Sequence, residues 1–265
     1  MSEWNDLIPD ERLAALEPSV GRELLRHALA DRTMPDSRRV FTNRTLRMEK
    51  IRHIGFDLDW TLALYDRDAM SQLAFELTLE RLVERFGYPR EILAAEFRSE
   101  FCRRGLILDT EAGTVLKMNR HRYVGRAYHG RRFVEAAERS RLYRQEPINP
   151  SSQRFYRVDT LFELPEVNIF SEVVDLAHHR KKVQLESCAQ LFHDTRKAID
   201  SIHADHTLKQ RILADLPRYL PRDEELILAL KRMALRDRRL ILITNSEWYY
   251  THALCAHLFD HALPG

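Results

Sequence analysis

The segment Ile51-Arg-His-Ile-Gly-Phe-Asp-Leu-Asp-Trp-Thr61 is the most informative part of this 265-residue chain. A short apolar run ends in Asp57 and Asp59, and Trp60 and Thr61 follow. Alternate side chains of an extended strand share a face, so the two carboxylates can project to the same side of a strand end. They would repel each other unless a cation or protons compensated. The pattern predicts a strand end that takes a metal ion and a phosphoryl group; a surface turn is the alternative.

A second strand of the same kind is predicted at Arg239-Leu-Ile-Leu-Ile-Thr-Asn-Ser246. Ligands of open α/β sheets bind outside the carboxyl ends of the strands, where Thr244 and Asn245 stand. Ser246 is a good N-cap for the following helix, whose free N–H groups could bind phosphate. Alone, this segment fits a capped turn equally well. Together with the first strand, it predicts a phosphate-handling site.

Composition excludes several classes of function. The 42 basic and 40 acidic side chains leave a formal net charge of +2, which predicts no general attraction to nucleic acid or to membranes. The eight glycines form no Walker or dinucleotide loop. No apolar stretch reaches the roughly 20 residues that cross a bilayer. The N-terminus lacks a signal-peptide pattern, and three widely spaced cysteines fit a reduced, cytoplasmic protein.

Hydrophobic periodicity predicts a mixed α/β insert between the two strands. Helices are expected at 68–86, at about 167–181 and at 187–204, and Gly87 ends the first of them. A β-hairpin is expected from Gly105–Leu108 and Val115–Met118, and a linker or long loop at 140–158. The predicted organisation is an N-terminal helical segment at 1–44, a core at 45–66 and 225–265, and an insert at 67–224.

Three polar residues, Arg196, Asp200 and His203, are spaced i, i+4 and i+7 in the last of these predicted helices. This spacing places them in one stripe beside the apolar stripe of the helix. From the pattern alone, the favoured interpretation is an Arg–Asp pair on the helix surface with a nearby histidine.

The two strand ends resemble a known family. Asp57-Leu-Asp-Trp-Thr61 and Ile243-Thr-Asn-Ser246 resemble the first two motifs of the haloacid-dehalogenase (HAD) superfamily of phosphatases. The likeness to the cytosolic purine 5′-nucleotidase type covers about residues 38 to 262. It also rests on the segments Arg39–Ile51, Phe75–Val83, Arg104–Thr110 and Asp159–Pro165. The resemblance implies an α/β fold with a HAD-like Rossmannoid parallel-sheet core, incomplete at the C-terminus, and a large mixed α/β cap inserted between the motifs.

The resemblance also implies an activity, the Mg²⁺-dependent hydrolysis of nucleoside 5′-monophosphates through an aspartyl phosphate. Asp57 would be the nucleophile and Asp59 the general acid and base, and both would serve the metal. The residues expected to hold the phosphate are Thr244, Asn245 and Ser246.

Substrate recognition is implied for a set of residues on or near the predicted helix at 187–204, namely Arg196, Asp200, His203 and Lys209. Two departures from the family pattern put the base preference in doubt. Ala204 replaces a tyrosine, and Arg131 and Arg132 stand where the animal enzymes have an aromatic residue and an asparagine.

The third and fourth motifs of the family, a lysine and an acidic pair, would follow the helix after Ser246. The chain ends at Gly265, so we expect a front portion of an enzyme with low activity of its own. Its open sheet edge favours self-association into a homo-oligomer. Two other interpretations stay open: a phosphatase or phosphotransferase for another small phosphate ester, and a non-catalytic nucleotide-binding or assembly module.

Overall fold

The computed structural model describes residues 47–101, 103–143, 148–149, 152–235 and 238–262. The chain divides into two compact units, unit 1 with residues 1–65 and 220–265, and unit 2 with residues 66–219. The sequence predicts these boundaries after 66 and after 224. The predicted helical segment 1–44 lies outside the described residues.

The described part of the chain is mixed α/β. The strands are β1 (His53–Phe56), β2 (Leu106–Asp109), β3 (Thr114–Met118), β4 (Val124–His129), β5 (Arg132–Phe133), β6 (Phe155–Val158) and β7 (Arg239–Leu242). The helices are α1 (Arg67–Phe86), α2 (Ala136–Tyr143), α3 (Leu164–His178), α4 (Cys188–Ala204), α5 (Thr207–Ala214), α6 (Leu216–Tyr219), α7 (Glu224–Leu235) and α8 (Trp248–Phe259). Short 3₁₀ turns cover Met48–Lys50, Arg90–Ala94, Ser99–Phe101 and Asp260–Ala262. None of the helices in these described ranges has the length and apolar content that a membrane crossing needs.

Unit 1 contains a parallel pair of strands, β1 and β7. Phe56 is opposite Leu242 in the register. The ladder continues past the strand ends, because the Ile243 N–H donates to the Phe56 carbonyl at 2.8 Å. Parallel strands that are in register end at the same edge of a sheet. The segments that follow β1 and β7 therefore start side by side, although nearly two hundred residues separate them in the sequence.

Unit 2 contains an antiparallel sheet with the strand order β5-β4-β3-β2-β6. The predicted hairpin is confirmed as β2 and β3, with Leu108 opposite Val115. Gly113 takes a φ of +67° in the connecting turn, and glycine adopts a positive φ with less strain than any other residue.

One prediction for unit 2 is wrong, because residues 140–158 are not a continuous loop. Helix α2 reaches Tyr143, and β6 pairs with β2, Tyr156 lying opposite Leu108. Residues 144–147 and 150–151 lie outside the described ranges. A four-residue strand is defined mainly by its partner strand, so the local sequence pattern did not reveal β6.

The core of unit 2 lies where α1, α3 and α4 pack on the sheet, around Phe75, Phe170, Leu108 and Leu191. The three helices match the predicted ones within three residues at each end. Helix α1 begins after Asp66, whose carboxylate accepts the Ala69 N–H at 2.7 Å, and it ends at Gly87 with a φ of +74°. The Asp66 N–H also donates to the Tyr219 carbonyl at 2.8 Å, so the first and last residues of unit 2 are hydrogen-bonded to each other.

Candidate functional site

The two aspartates of the first motif lie in the turn after β1, not on the strand itself, because the strand ends at Phe56. Asp57 is exposed, and its Oδ1 accepts the N–H of Leu58 at 2.8 Å. Asp59 is half-buried. The alternation of side chains on an extended strand therefore does not orient the two carboxylates. The turn geometry does.

The turn is built around Leu58, which is fully buried. Its carbonyl accepts the N–H groups of Thr61, Leu62 and Ala63 at 3.2, 3.0 and 2.9 Å. Trp60 takes a φ of +60° in this turn. A bulky residue with a positive φ is strained, and such strain persists only where the surrounding structure fixes it. The backbone around Asp59 is thus tightly determined.

Both carboxylate oxygens of Asp59 accept hydrogen bonds from hydroxyl groups. The Tyr65 hydroxyl donates to Oδ1 at 2.6 Å, and Ser246 Oγ donates to Oδ2 at 2.8 Å. The hydroxyl of Tyr250 lies 2.9 Å from that of Tyr65. The structure therefore brings together residues of the first and second motifs within unit 1. Sequence reasoning missed the two tyrosines, because nothing in their local pattern relates them to Asp59.

The expectation that Ser246 caps the following helix is wrong. Helix α8 begins at Trp248, and its N-cap position is Glu247, which makes no side-chain capping bond. The Ser246 hydroxyl donates to Asp59 Oδ2 instead, so it does not cap the helix. Thr244 and Asn245 lie in the same turn. Thr244 Oγ1 accepts the Ser246 N–H at 3.0 Å, and Asn245 is exposed.

Burial raises the pKa of the Tyr65 hydroxyl, and the nearby Tyr250 and Asp59 raise it further. Burial also raises the pKa of Tyr250. Both phenols therefore keep their protons at physiological pH and remain hydrogen-bond donors.

The predicted recognition stripe belongs to unit 2. Arg196 and His203 are half-buried on α4, Asp200 is exposed on the same helix, and Lys209 lies on α5. Among the described ion pairs, Arg196 contacts Glu166 at 3.1 Å, so the expected helix-surface pair with Asp200 is not the one that forms.

Arg196 is held by residues of two other elements. Its Nη1 also donates to the Tyr156 hydroxyl, and its guanidinium lies 4.7 Å from the centroid of the Tyr156 ring. Tyr156 in turn donates to Glu163. The guanidinium is therefore fixed by a carboxylate, a phenol and an aromatic face.

Glu166 is the second feature that sequence reasoning missed. Its residue is only 3% exposed, within the apolar run of α3. Burial raises its pKa to about 7, although the attraction of Arg196 acts in the opposite direction. An acidic residue inside an apolar helical run is the signal that could have identified it.

The two neighbouring arginines, Arg131 and Arg132, are both paired. Arg131 donates through Nε to Glu172 at 2.5 Å and through Nη2 to Asn168 at 2.5 Å. Arg132 forms two hydrogen bonds with Glu138. The Glu172 side chain is fully buried, and a buried carboxylate needs such a partner. These contacts explain Arg131 as a structural residue of unit 2.

The residues after β1 fit a magnesium ion. Within the described ranges, no group of three or more His, Cys, Asp or Glu side chains is arranged to hold a metal. Magnesium does not require one, because it is commonly bound by one or two carboxylates together with water and phosphate oxygens. The exposed carboxylate of Asp57 is a suitable ligand of this type.

Comparison with known proteins gives a consistent result. A family model described as the 5′ nucleotidase family matches residues 40–265. The human protein named 5′-nucleotidase domain-containing protein 2 is 28% identical over 272 aligned positions, which cover 97% of this chain and 47% of that protein. A 5′-nucleotidase domain-containing protein of Dictyostelium discoideum is 28% identical over 243 positions, 87% of this chain and 39% of that protein. The chain thus spans less than half the length of these relatives. Because the family model matches most of the sequence, the chain belongs to the 5′-nucleotidase family.

Proposed function

We propose that this chain carries the nucleophile, the general acid and base, and the phosphate-binding turn of an enzyme that hydrolyses nucleoside 5′-monophosphates, with a preference for purines. One observation supports this most directly. The parallel pairing of β1 with β7 puts Asp57 and Asp59 at the same edge as Thr244, Asn245 and Ser246, and the Ser246–Asp59 hydrogen bond joins the two turns. Sites at the carboxyl ends of parallel strands suit phosphate esters.

In the first step, a carboxylate oxygen of Asp57 attacks phosphorus. The bond between phosphorus and the ribose oxygen breaks, and the phosphoryl group is transferred to Asp57 as an acyl phosphate. Asp59 gives its proton to the departing ribose oxygen. Asp57 is exposed in the turn after β1, where a substrate could reach it, whereas Asp59 is half-buried and oriented by hydrogen bonds.

In the second step, Asp59 takes a proton from water as the water oxygen attacks the phosphorus of the acyl phosphate. The bond between phosphorus and Asp57 breaks, which releases inorganic phosphate and restores both carboxyl groups to their starting states. Asp59 therefore acts first as an acid and then as a base, and the protons balance over the two steps.

Magnesium would be held by the Asp57 carboxylate and the backbone carbonyl of Asp59. When bound, it neutralises negative charge on the phosphoryl group. The protein contributes Thr244, Asn245 and Ser246 as polar groups for the phosphate oxygens.

Recognition of the nucleoside part is assigned to Arg196, Asp200, His203 and Lys209. The geometry of Arg196 supports its assignment, because Glu166 and Tyr156 hold the guanidinium in one place before any ligand binds. A donor that is already oriented loses less conformational entropy on binding. The wider proposal is a HAD-like core formed by unit 1, into which unit 2 is inserted as a cap, in a cytoplasmic enzyme.

The test is an assay of the purified protein with Mg²⁺ against a panel of phosphate esters. The panel contains purine and pyrimidine nucleoside 5′-monophosphates, sugar phosphates and p-nitrophenyl phosphate, each measured with and without EDTA. We expect release of phosphate from the purine nucleotides that EDTA abolishes. Faster turnover of sugar phosphates would favour a phosphatase for another small ester. Nucleotide binding without turnover would favour a non-catalytic module.

A further inference from the structure

Two buried tyrosines form a chain of hydroxyl groups that ends on Asp59. The Tyr65 hydroxyl lies 2.6 Å from Asp59 Oδ1 and 2.9 Å from the Tyr250 hydroxyl. Tyr65 is 6% exposed and Tyr250 is 3% exposed. Buried polar groups of this kind rarely persist without a partner, and here each hydroxyl has one.

Counting protons fixes the direction of this chain. A phenol has a single proton, and a carboxyl oxygen that carries no proton can only accept. Tyr65 therefore donates to Asp59, and Tyr250 donates to the oxygen of Tyr65. Both hydroxyls belong to buried residues, so little water is present to compete for the two hydrogen bonds.

The Tyr65 ring is itself held in place. Trp60 packs edge-on against it, with the ring centroids 5.4 Å apart. Tyr250 belongs to α8, which follows the second motif, whereas Tyr65 follows the first. The pair consequently connects the strained turn around Asp59 to a regular helix of the same unit. A side chain on a turn gains precision when a rigid element supports it.

We propose that Tyr65 and Tyr250 are positioning residues that hold the Asp59 carboxyl group in the orientation needed for its proton transfers, a role that rests on the proposed function. Tyr65 occupies Oδ1. The partner of Oδ2 is the Ser246 hydroxyl, which can rotate from donor to acceptor. Oδ2 is thus the oxygen that gives a proton to the leaving group and takes one from water. Both tyrosines act through Asp59.

The test compares two substrates that differ in their need for an acid. A ribose oxygen must be protonated as it leaves, whereas p-nitrophenolate leaves without a proton. The parameter kcat/KM reports the steps up to departure of the leaving group, so it isolates this difference. The variants are Tyr65→Phe and Tyr250→Phe. Tyr249→Phe is the matched control, since it removes a hydroxyl from the same helix at a residue that is 44% exposed.

General acid catalysis contributes roughly 10²–10⁴-fold, so we expect Tyr65→Phe to lower kcat/KM for a purine nucleotide by about 10-fold or more. Tyr250→Phe should give a smaller loss in the same direction. For p-nitrophenyl phosphate, both variants should stay within about 3-fold of the parental protein, because the unassisted leaving group does not use the acid. Tyr249→Phe should change neither substrate. Equal losses on both substrates would show a merely structural role and overturn the proposal.

A second measurement examines the contact without turnover. The Tm is compared for Tyr65→Phe, Asp59→Ala and the double variant. A combined loss of Tm smaller than the sum of the single losses supports the hydrogen bond, and strictly additive losses exclude it. If the losses are non-additive but the parental protein hydrolyses neither ester, the proposed function fails and the positioning role fails with it. If the parental protein is active and the losses are additive, only the positioning role fails.

Discussion

The guanidinium of Arg196 lies 3.1 Å from the carboxylate of Glu166, a residue that is almost fully buried. The pair joins α4 to α3 within unit 2. Burial disfavours the charged form of Glu166 more than Arg196 favours it, so the pKa of this carboxyl is raised to about 7. Arg196 is therefore paired with an acid whose pKa burial raises to about 7.

The raised pKa of Glu166 predicts a pH-dependent loss of stability. Its pKa is raised from 4.5 to about 7 in the folded protein, so the folded state binds more protons than the unfolded state between these values. The free energy of unfolding should therefore fall as pH rises from about 4.5 to about 7. At 1.36 kcal/mol per pH unit, the contribution of Glu166 is on the order of 3 kcal/mol. Urea denaturation of the parental protein and of Glu166→Gln across this range measures it, and the variant should lack this decline.

Glu163 provides a control, because its pKa is shifted in the opposite direction from that of Glu166. Burial opposes its ionisation, but hydrogen bonds from Tyr156 and from the N–H groups of Thr160 and Asp159 lower its pKa overall. The stabilising contribution of Glu163 is present at pH values above the pKa that it has in the unfolded chain. It is lost only as pH falls below that pKa. Glu163→Gln should therefore keep most of the decline above pH 4.5, because burial is the largest cause of the raised Glu166 pKa and the charge of Glu163 is a smaller one. If both variants followed the parental curve, the titration of Glu166 would not explain the pH dependence.

Asp57→Asn should lower turnover of the active protein by roughly 10³-fold or more, because an amide cannot readily form the acyl phosphate. The exposed position of Asp57 means that this change should leave the Tm nearly unaltered. The measurement is single-turnover phosphate release with Mg²⁺. Asp68→Asn, in the exposed first turn of α1, is the control. Near-parental activity of Asp57→Asn would assign the nucleophile to another residue.

Arg196→Ala and Asp200→Ala should raise KM for nucleoside monophosphates by about 10-fold, since a lost charged contact costs roughly 1.5–3 kcal/mol. KM for p-nitrophenyl phosphate should change little, because the ester lacks the nucleoside part. Steady-state kinetics on both substrates measure the difference. Lys197→Ala, an exposed neighbour on α4, is the control. Equal losses on the two substrates would indicate that Arg196 and Asp200 only stabilise the helix.

Gly130→Ala should destabilise the protein by about 2–4 kcal/mol, from a strained backbone and an overpacked contact. Gly130 has a φ of +58°, and an added Cβ would lie 2.8 Å from the backbone of Asp175. Gly125→Ala is the control, because its Cβ would meet only the Lys117 carbonyl at 3.6 Å. Urea denaturation of both variants gives the comparison. Similar stabilities for the two would show that the Gly130 turn can move away from α3.

Features that depend on local chemistry and periodicity could be predicted from the amino-acid sequence. The two strand-end motifs, the β2–β3 hairpin and the helices α1, α3 and α4 were predicted in this way, and so was the end of α1 at Gly87. Apolar spacing and glycine conformation act over a few residues, so they can be read directly from the chain. Family membership also followed from the motifs.

Contacts between distant groups became known from the three-dimensional structure. It showed β6 in a segment predicted as a loop, gave the Ser246 hydroxyl to Asp59 in place of the helix end, and paired Arg196 with Glu166. It also placed Tyr65 and Tyr250 against Asp59, 185 residues apart from each other in sequence. A hydrogen bond or an ion pair depends on a separation of about 3 Å in space, and folding sets that distance independently of the spacing along the chain.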